Sequence, residues 1–175
     1  MITHGYSRSK YNSCVYFKTL PSRNFIDLLF YVDDMLLACK QREELEWLKD
    51  ELSSEFEMKD LGPATKILEM HIIRDRVSKT LFLSQTGYME KVLGRFGMID
   101  SKPVSTPLGA QFRLSKQEEP EENTEVEHMK NVPYTSVVGC VMYAMVCTRP
   151  DLAYGIGVLS RFMSNPSKHH WHPAK

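Results

Sequence analysis

Two adjacent carboxylates, Asp33 and Asp34, interrupt an otherwise apolar stretch, FIDLLFYVDDMLLAC at residues 25–39. Carboxylates in apolar surroundings are costly unless something pairs with them. Their hard oxygens suit a divalent cation. The plainer reading of the dipeptide alone is a turn that ends two strands. Other side chains able to do chemistry stand farther along: Lys59, Arg149, and His169, His170 and His172 around Trp171. Lys59, just past a helix end, reads first as a solvated cation. The helix start Thr148-Arg149-Pro150-Asp151 accounts for Arg149 structurally. The histidines are only superficially a metal cluster. Cys14, Cys39, Cys140 and Cys147 include no CxxC pair, so reduced thiols are expected.

The carboxylates need a scaffold. Apolar runs on both sides of Asp33-Asp34 predict a buried β-hairpin with the pair at its turn. Leu45, Leu48, Leu52 and Phe56 recur at helical spacing and predict a helix over 41–57. Leu61-Gly62-Pro63 stops it. Residues 66–73 alternate, with Leu68, Met70 and Ile72 on one face, and 81–83 can pair back to them across a polar turn at 74–79. Ser84 is placed to cap a helix carrying Tyr88, Val92 and Phe96, which Gly97 can end. Four prolines and six glutamates between 99 and 133 predict a long exposed loop, poorly ordered over 118–127. A buried helix over 137–146 follows, then a helix with Leu152, Ile156, Leu159 and Met163 on one face, and a further helix start near the last residues.

Composition sets outer limits. The chain has 175 residues, 42% hydrophobic and 25% charged, ordinary for one globular domain. No apolar run approaches the ~20 residues of a membrane span, and the first residues lack a signal-peptide core. Formal charge is zero, yet residues outside 118–127 carry 22 basic against 16 acidic side chains. That bias is compatible with a phosphate-facing surface.

Tyr31-Val32-Asp33-Asp34 resembles the YxDD motif of reverse transcriptases. An ordered series follows it: Phe56-Glu57-Met58-Lys59-Asp60-Leu61-Gly62, Leu83-Ser84-Gln85 with Tyr88, and Arg95-Phe96-Gly97-Met98. Lys102 to Pro107, Val138-Gly139 with Met142-Tyr143, Thr148-Arg149-Pro150-Asp151, Leu159 to Met163, and Pro166 with His170 complete it. On these residues, from about Cys14 to Lys175, the chain resembles the copia-type LTR retrotransposon reverse transcriptase, part of a Pol polyprotein. The resemblance implies RNA-directed DNA synthesis with two Mg2+ (or Mn2+) ions, which activate the primer 3′-hydroxyl and hold the leaving pyrophosphate. It implies Asp33 as metal-binding catalytic residue and Asp34 as its supporting neighbour. Tyr31 and Val32 would lie against the primer end. Leu68 and Met70 would belong to the strand that holds the primer, and Lys59 would lie near the incoming nucleotide.

What the resemblance implies for the fold is α+β. A partial polymerase palm is expected over 1–75, with a mostly helical thumb-like or connection region over 76–175. The family's fingers, first palm half, third carboxylate and RNase H segments are not among these residues. Asp27 is too far along its own strand to replace that carboxylate. It also stands where the family has an aliphatic residue. Glu69 stands where the family has glycine, and its charge would repel a phosphodiester. Implied partners are primer-template nucleic acid, a deoxynucleoside triphosphate and the remaining polyprotein segments, with no membrane. The implied location is intracellular, in a cytoplasmic virus-like particle or the nucleus. Two rival expectations stand beside polymerase activity: an inactive remnant that at most binds nucleic acid, and an unrelated protein-interaction domain.

Overall fold

The computed structural model describes residues 5–21, 23–109, 111–120 and 122–175. The fold is α+β and the chain divides into two compact units, Met1–Leu68 and Glu69–Lys175. Among the described residues no helix is long and apolar enough to cross a membrane.

In the first unit β1 (Ser7–Arg8), β2 (Val15–Thr19), β3 (Phe25–Tyr31) and β4 (Asp34–Cys39) form one antiparallel sheet in that order. The expected hairpin over 25–39 is β3 and β4; the sheet also gains β1 and β2, which were not anticipated. Alternation along β3 sends Ile26 and Leu28 inward, both fully buried, and leaves Phe25 and Asp27 outward. Helix α1 (Arg42–Glu55) presents Leu48 and Leu52 to that inner face, where they join Tyr6, Leu20 and Ile26. Met35, Leu37 and Cys39 of β4 pack against the same cluster. Burying each large aliphatic side chain contributes about 2 kcal/mol before entropy. This core anchors the open end of the hairpin and leaves its tip outside.

The second unit begins with strands β6 (Met70–Asp75) and β7 (Thr80–Ser84), paired antiparallel. The boundary between the two units falls at Leu68/Glu69. Short strand β5 (Lys66–Ile67) is followed by a two-residue turn, so the strand expected over 66–73 is broken at Leu68-Glu69. Helix α2 (Thr86–Arg95) starts two residues after Ser84, and Gly97 ends it at φ +66° with Met98 N–H donating to the Leu93 carbonyl at 2.8 Å.

The loop expected over 99–133 is partly helical. A 3-10 turn spans Lys116–Glu118, and α3 spans Asn123–Lys130, with Met129 buried. The glutamates expected to repel one another instead find hydrogen-bond partners, one local and two distant in sequence. Glu118 Oε2 accepts from Ser115 N–H at 3.0 Å, and Glu125 Oε1 accepts from Lys168 N–H at 2.9 Å. Asn165 Nδ2 donates to Glu119 at 3.4 Å. Glu121 lies outside the described residues.

Helices α4 (Tyr134–Cys147), α5 (Ala153–Leu159) and α6 (Lys168–Trp171) follow. Their core is Tyr134, Val138, Ile156, Leu159 and Phe162. Tyr134 O–H donates to the Leu159 carbonyl at 2.8 Å, and Tyr88 O–H to the Cys140 carbonyl at 3.0 Å. Burial pushes the pKa of each phenol up to about 12. Helix α4 is less enclosed than expected, since Val146 is exposed.

Candidate catalytic hairpin and its surroundings

Register fixes the tip. Tyr31 pairs with Asp34, and Val32 and Asp33 form the two-residue connection. Asp33 thus lies in the turn itself and Asp34 begins β4. Val32 has φ +53° while Asp33 does not share the positive φ. A tight hairpin with φ > 0 at its first central residue ordinarily places glycine there. A β-branched residue in that conformation is strained, of order 1–3 kcal/mol. The framework sheet must hold it.

The sequence reading buried this hairpin, and the structure corrects that at the tip. Val32 is 86% exposed, Tyr31 is half-exposed, and Asp33 and Asp34 are both exposed. Among the described residues neither carboxylate has an ion pair or a side-chain hydrogen bond. The tip projects beyond the α1 core, so the cost of burying a carboxylate never arises. The apolar flanks are explained by the inner face of the sheet farther down.

Asp27 pairs with Phe17 on one side and Ala38 on the other. It is four residue pairs from the Tyr31–Asp34 pair, roughly 13 Å along the strand. Among the described residues no group of three or more His, Cys, Asp or Glu converges to hold a metal ion. A divalent ion asks for several oxygen donors. Asp33 and Asp34 are donors of the right kind, but alone they do not make a two-ion shell, whose members lie only about 4 Å apart.

The remaining candidates are dispersed. Lys59 is exposed in the irregular stretch after α1. Its neighbour Asp60 pairs with Lys49 at 3.0 Å and accepts from Gly62 N–H at 2.8 Å, and these bonds hold its carboxyl below the usual range. Leu68 and Glu69 occupy the turn between β5 and β6, with φ +49° and +57°. Leu68 and Met70 therefore do not share one strand face, as alternation had suggested. Positive φ at both positions is the signature of a turn that favours Asn-Gly. Glu69 meets Lys91 of α2 at 2.9 Å, which neutralises the charge that the sequence reading found out of place.

Arg149 grips Asp151 through two bonds, Nε to Oδ1 at 2.9 Å and Nη2 to Oδ2 at 2.7 Å. Its guanidinium serves the helix start. His170 is fully buried and stacks on Phe162, ring centroids 4.0 Å apart. Its Nδ1 accepts from Ser167 N–H at 3.0 Å, which leaves the proton on Nε2, 3.2 Å from the Ser115 carbonyl. His170 is thus a core histidine with both nitrogens engaged, and its nearness to Phe162 could not be read from spacing. The glutamates that meet Ser115 and Lys168 were also missed; Val126 and Met129 gave a weak helical signal there.

The family model for reverse transcriptase (RNA-dependent DNA polymerase) matches residues 1–110. The chain is 51% identical over 175 residues to the retrovirus-related Pol polyprotein from transposon TNT 1-94 of Nicotiana tabacum, covering 100% of the chain and 13% of that protein. It is 38% identical over 140 residues, 80% of the chain and 54% of the relative, to an uncharacterized mitochondrial protein of Arabidopsis thaliana. It is 31% identical over 153 residues to the retrovirus-related Pol polyprotein from transposon RE2 of the same plant, 87% of the chain and 10% of that protein. The chain thus spans a small part of the Pol polyproteins and about half of the mitochondrial relative. No solved structure matches it significantly.

Proposed function

The chain belongs to the family of reverse transcriptases, and we propose that it supplies the catalytic hairpin of a copia-type retrotransposon polymerase. The observation that carries this reading is the Tyr31–Asp34 tip. A strained, exposed turn bearing two carboxylates lies inside the segment that matches the family. Strain held at a tip by a well-packed sheet is a mark of function.

In this reading the first unit is part of the palm and the helical second unit is thumb-like. Asp33 is the metal-binding carboxylate and Asp34 supports it. Tyr31 and Val32 lie against the primer end, and the Leu68–Met70 segment lies along the primer strand. Magnesium or manganese, when bound, would supply the charge that activates a primer hydroxyl. Because the donors among the described residues do not complete that site, we derive no step through the ions. The missing carboxylate comes from another segment of the polyprotein, as do the surfaces that clamp a deoxynucleoside triphosphate.

A second reading, an inactive remnant, is favoured by Glu69 in a turn that suits glycine. One experiment separates the two. The 175 residues replace their aligned segment in the tobacco polyprotein, and primer extension on an RNA template is measured with magnesium. The polymerase reading expects extension that Asp33→Asn abolishes. A folded chimera that binds primer-template and extends nothing supports the remnant.

A further inference from the structure

Helices α2 and α4 leave a gap where they approach Trp171 and Ala174. It is a cavity of about 100 Å³, lined by Met89 of α2, Phe96 and Met98 just beyond it, Val141 of α4, and Trp171 and Ala174. All six belong to the second unit. Leu93 and Lys175, both exposed, line it as well and open it to solvent. Close-packed interiors leave few voids larger than a water molecule, so a gap of this size stands out.

Its walls are fixed from behind. Val141, Trp171 and Ala174 pack against the Tyr134 core, and the Tyr134 and Trp171 ring centroids stand 6.4 Å apart. Met98 is held by the bond from its N–H to the Leu93 carbonyl, which the left-handed turn at Gly97 allows. The lining side chains carry two polar groups, the Trp171 indole N–H and the Lys175 ammonium, which lies 5.1 Å from the centre of the Trp171 ring. Both are donors, and the lining side chains offer no oxygen or nitrogen acceptor. Water asks for two to four polar partners and is poorly served here, whereas an apolar cavity of ~150 Å³ stays dry and admits benzene.

We propose that this cavity binds a small planar aromatic molecule of one ring, carrying no hydrogen-bond donor. Phe96 and Trp171 supply aromatic rings, Met89 and Met98 supply thioethers, and both kinds of wall favour an aromatic guest over a saturated one. The flexible methionine side chains let the wall adjust to a ring slightly larger than the gap. Apolar walls with few polar groups, on a largely pre-formed site, are the usual make-up of a small-molecule pocket. The inference concerns the second unit alone and is independent of the polymerase reading.

Methyl-labelled methionine in the full chain reports the binding, with benzene as the probe and circular dichroism confirming that each variant is folded. The Met89 and Met98 signals are expected to move saturably, with one dissociation constant on the order of 1 mM for so small a ligand. The Met35 and Met58 signals, in the first unit, should stay in place. Ala174→Phe fills the cavity and should weaken binding at least tenfold. Val141→Phe repeats that test from α4, so the proposal stays open to refutation if one variant fails to fold. Val104→Phe adds the same bulk as Val141→Phe at an exposed position and should bind as the parent does. Cyclohexane should bind severalfold more weakly than benzene. Four results overturn the proposal: no saturable shift at Met89 and Met98, equal shifts at all four methionines, folded cavity-filling variants that bind as tightly as the parent, or cyclohexane that binds as tightly as benzene.

Discussion

The Tyr31–Asp34 tip and the knot around His170 both gather polar groups, and they treat them in opposite ways. At the knot, the imidazole is fully buried and each ring nitrogen has a backbone partner, Ser167 N–H on one side and the Ser115 carbonyl on the other. Glu118, 3.3 Å from His169 Nε2, and Glu125, which accepts from Lys168 N–H, draw an acidic segment onto the C-terminal helices. At the tip, two carboxylates stand in solvent on a strained turn with no partner among the described residues. A polar group with every bond satisfied holds a fold together. One left open is available to a ligand. Substitutions should therefore cost stability at the knot and leave it unchanged at the tip.

The largest expected effect is His170→Ala. It removes a ring stacked on Phe162 and leaves the Ser167 N–H buried without its partner, while the Ser115 carbonyl keeps only the Glu118 N–H. The expected loss is on the order of 3 kcal/mol in urea unfolding. A loss below about 1 kcal/mol would mean that the knot is incidental.

High pH gives the next largest effect. The Tyr134 phenol titrates near 10.0 when unfolded and is pushed up to about 12 by burial. A raised folded pKa means that its stability contribution is complete below pH 10 and is lost as pH climbs towards 12. The loss is roughly 2 kcal/mol. Tyr134→Phe should make that part of the profile shallower, with the Tyr88 phenol accounting for what remains, and an unchanged profile would contradict the assignment. Smallest is Asp33→Asn, expected to shift stability by less than about 0.5 kcal/mol. A cost as large as that of His170→Ala would show that the tip carboxylate is structural.

What the sequence revealed follows the same division. The hairpin was legible because apolar runs on each side of two aspartates admit few other arrangements, and α1 because Leu48 and Leu52 share a stripe. The exposure of the tip was not legible, since it depends on where α1 ends its coverage of the sheet. Helix α3 was hidden by its glutamates: the partner of Glu125, Lys168 N–H, is 43 residues away in sequence. The break at Leu68-Glu69 was hidden because alternation continues through it while the backbone turns.

The central claim is that Asp33 and Asp34 are part of a metal shell completed elsewhere in the polyprotein. Primer extension by the 175-residue chain alone, with magnesium and with manganese, beside Asp33→Asn, tests it most directly. The account predicts the same background in both proteins. Extension by the parent chain that disappears in Asp33→Asn would show a complete site on this chain and contradict the claim.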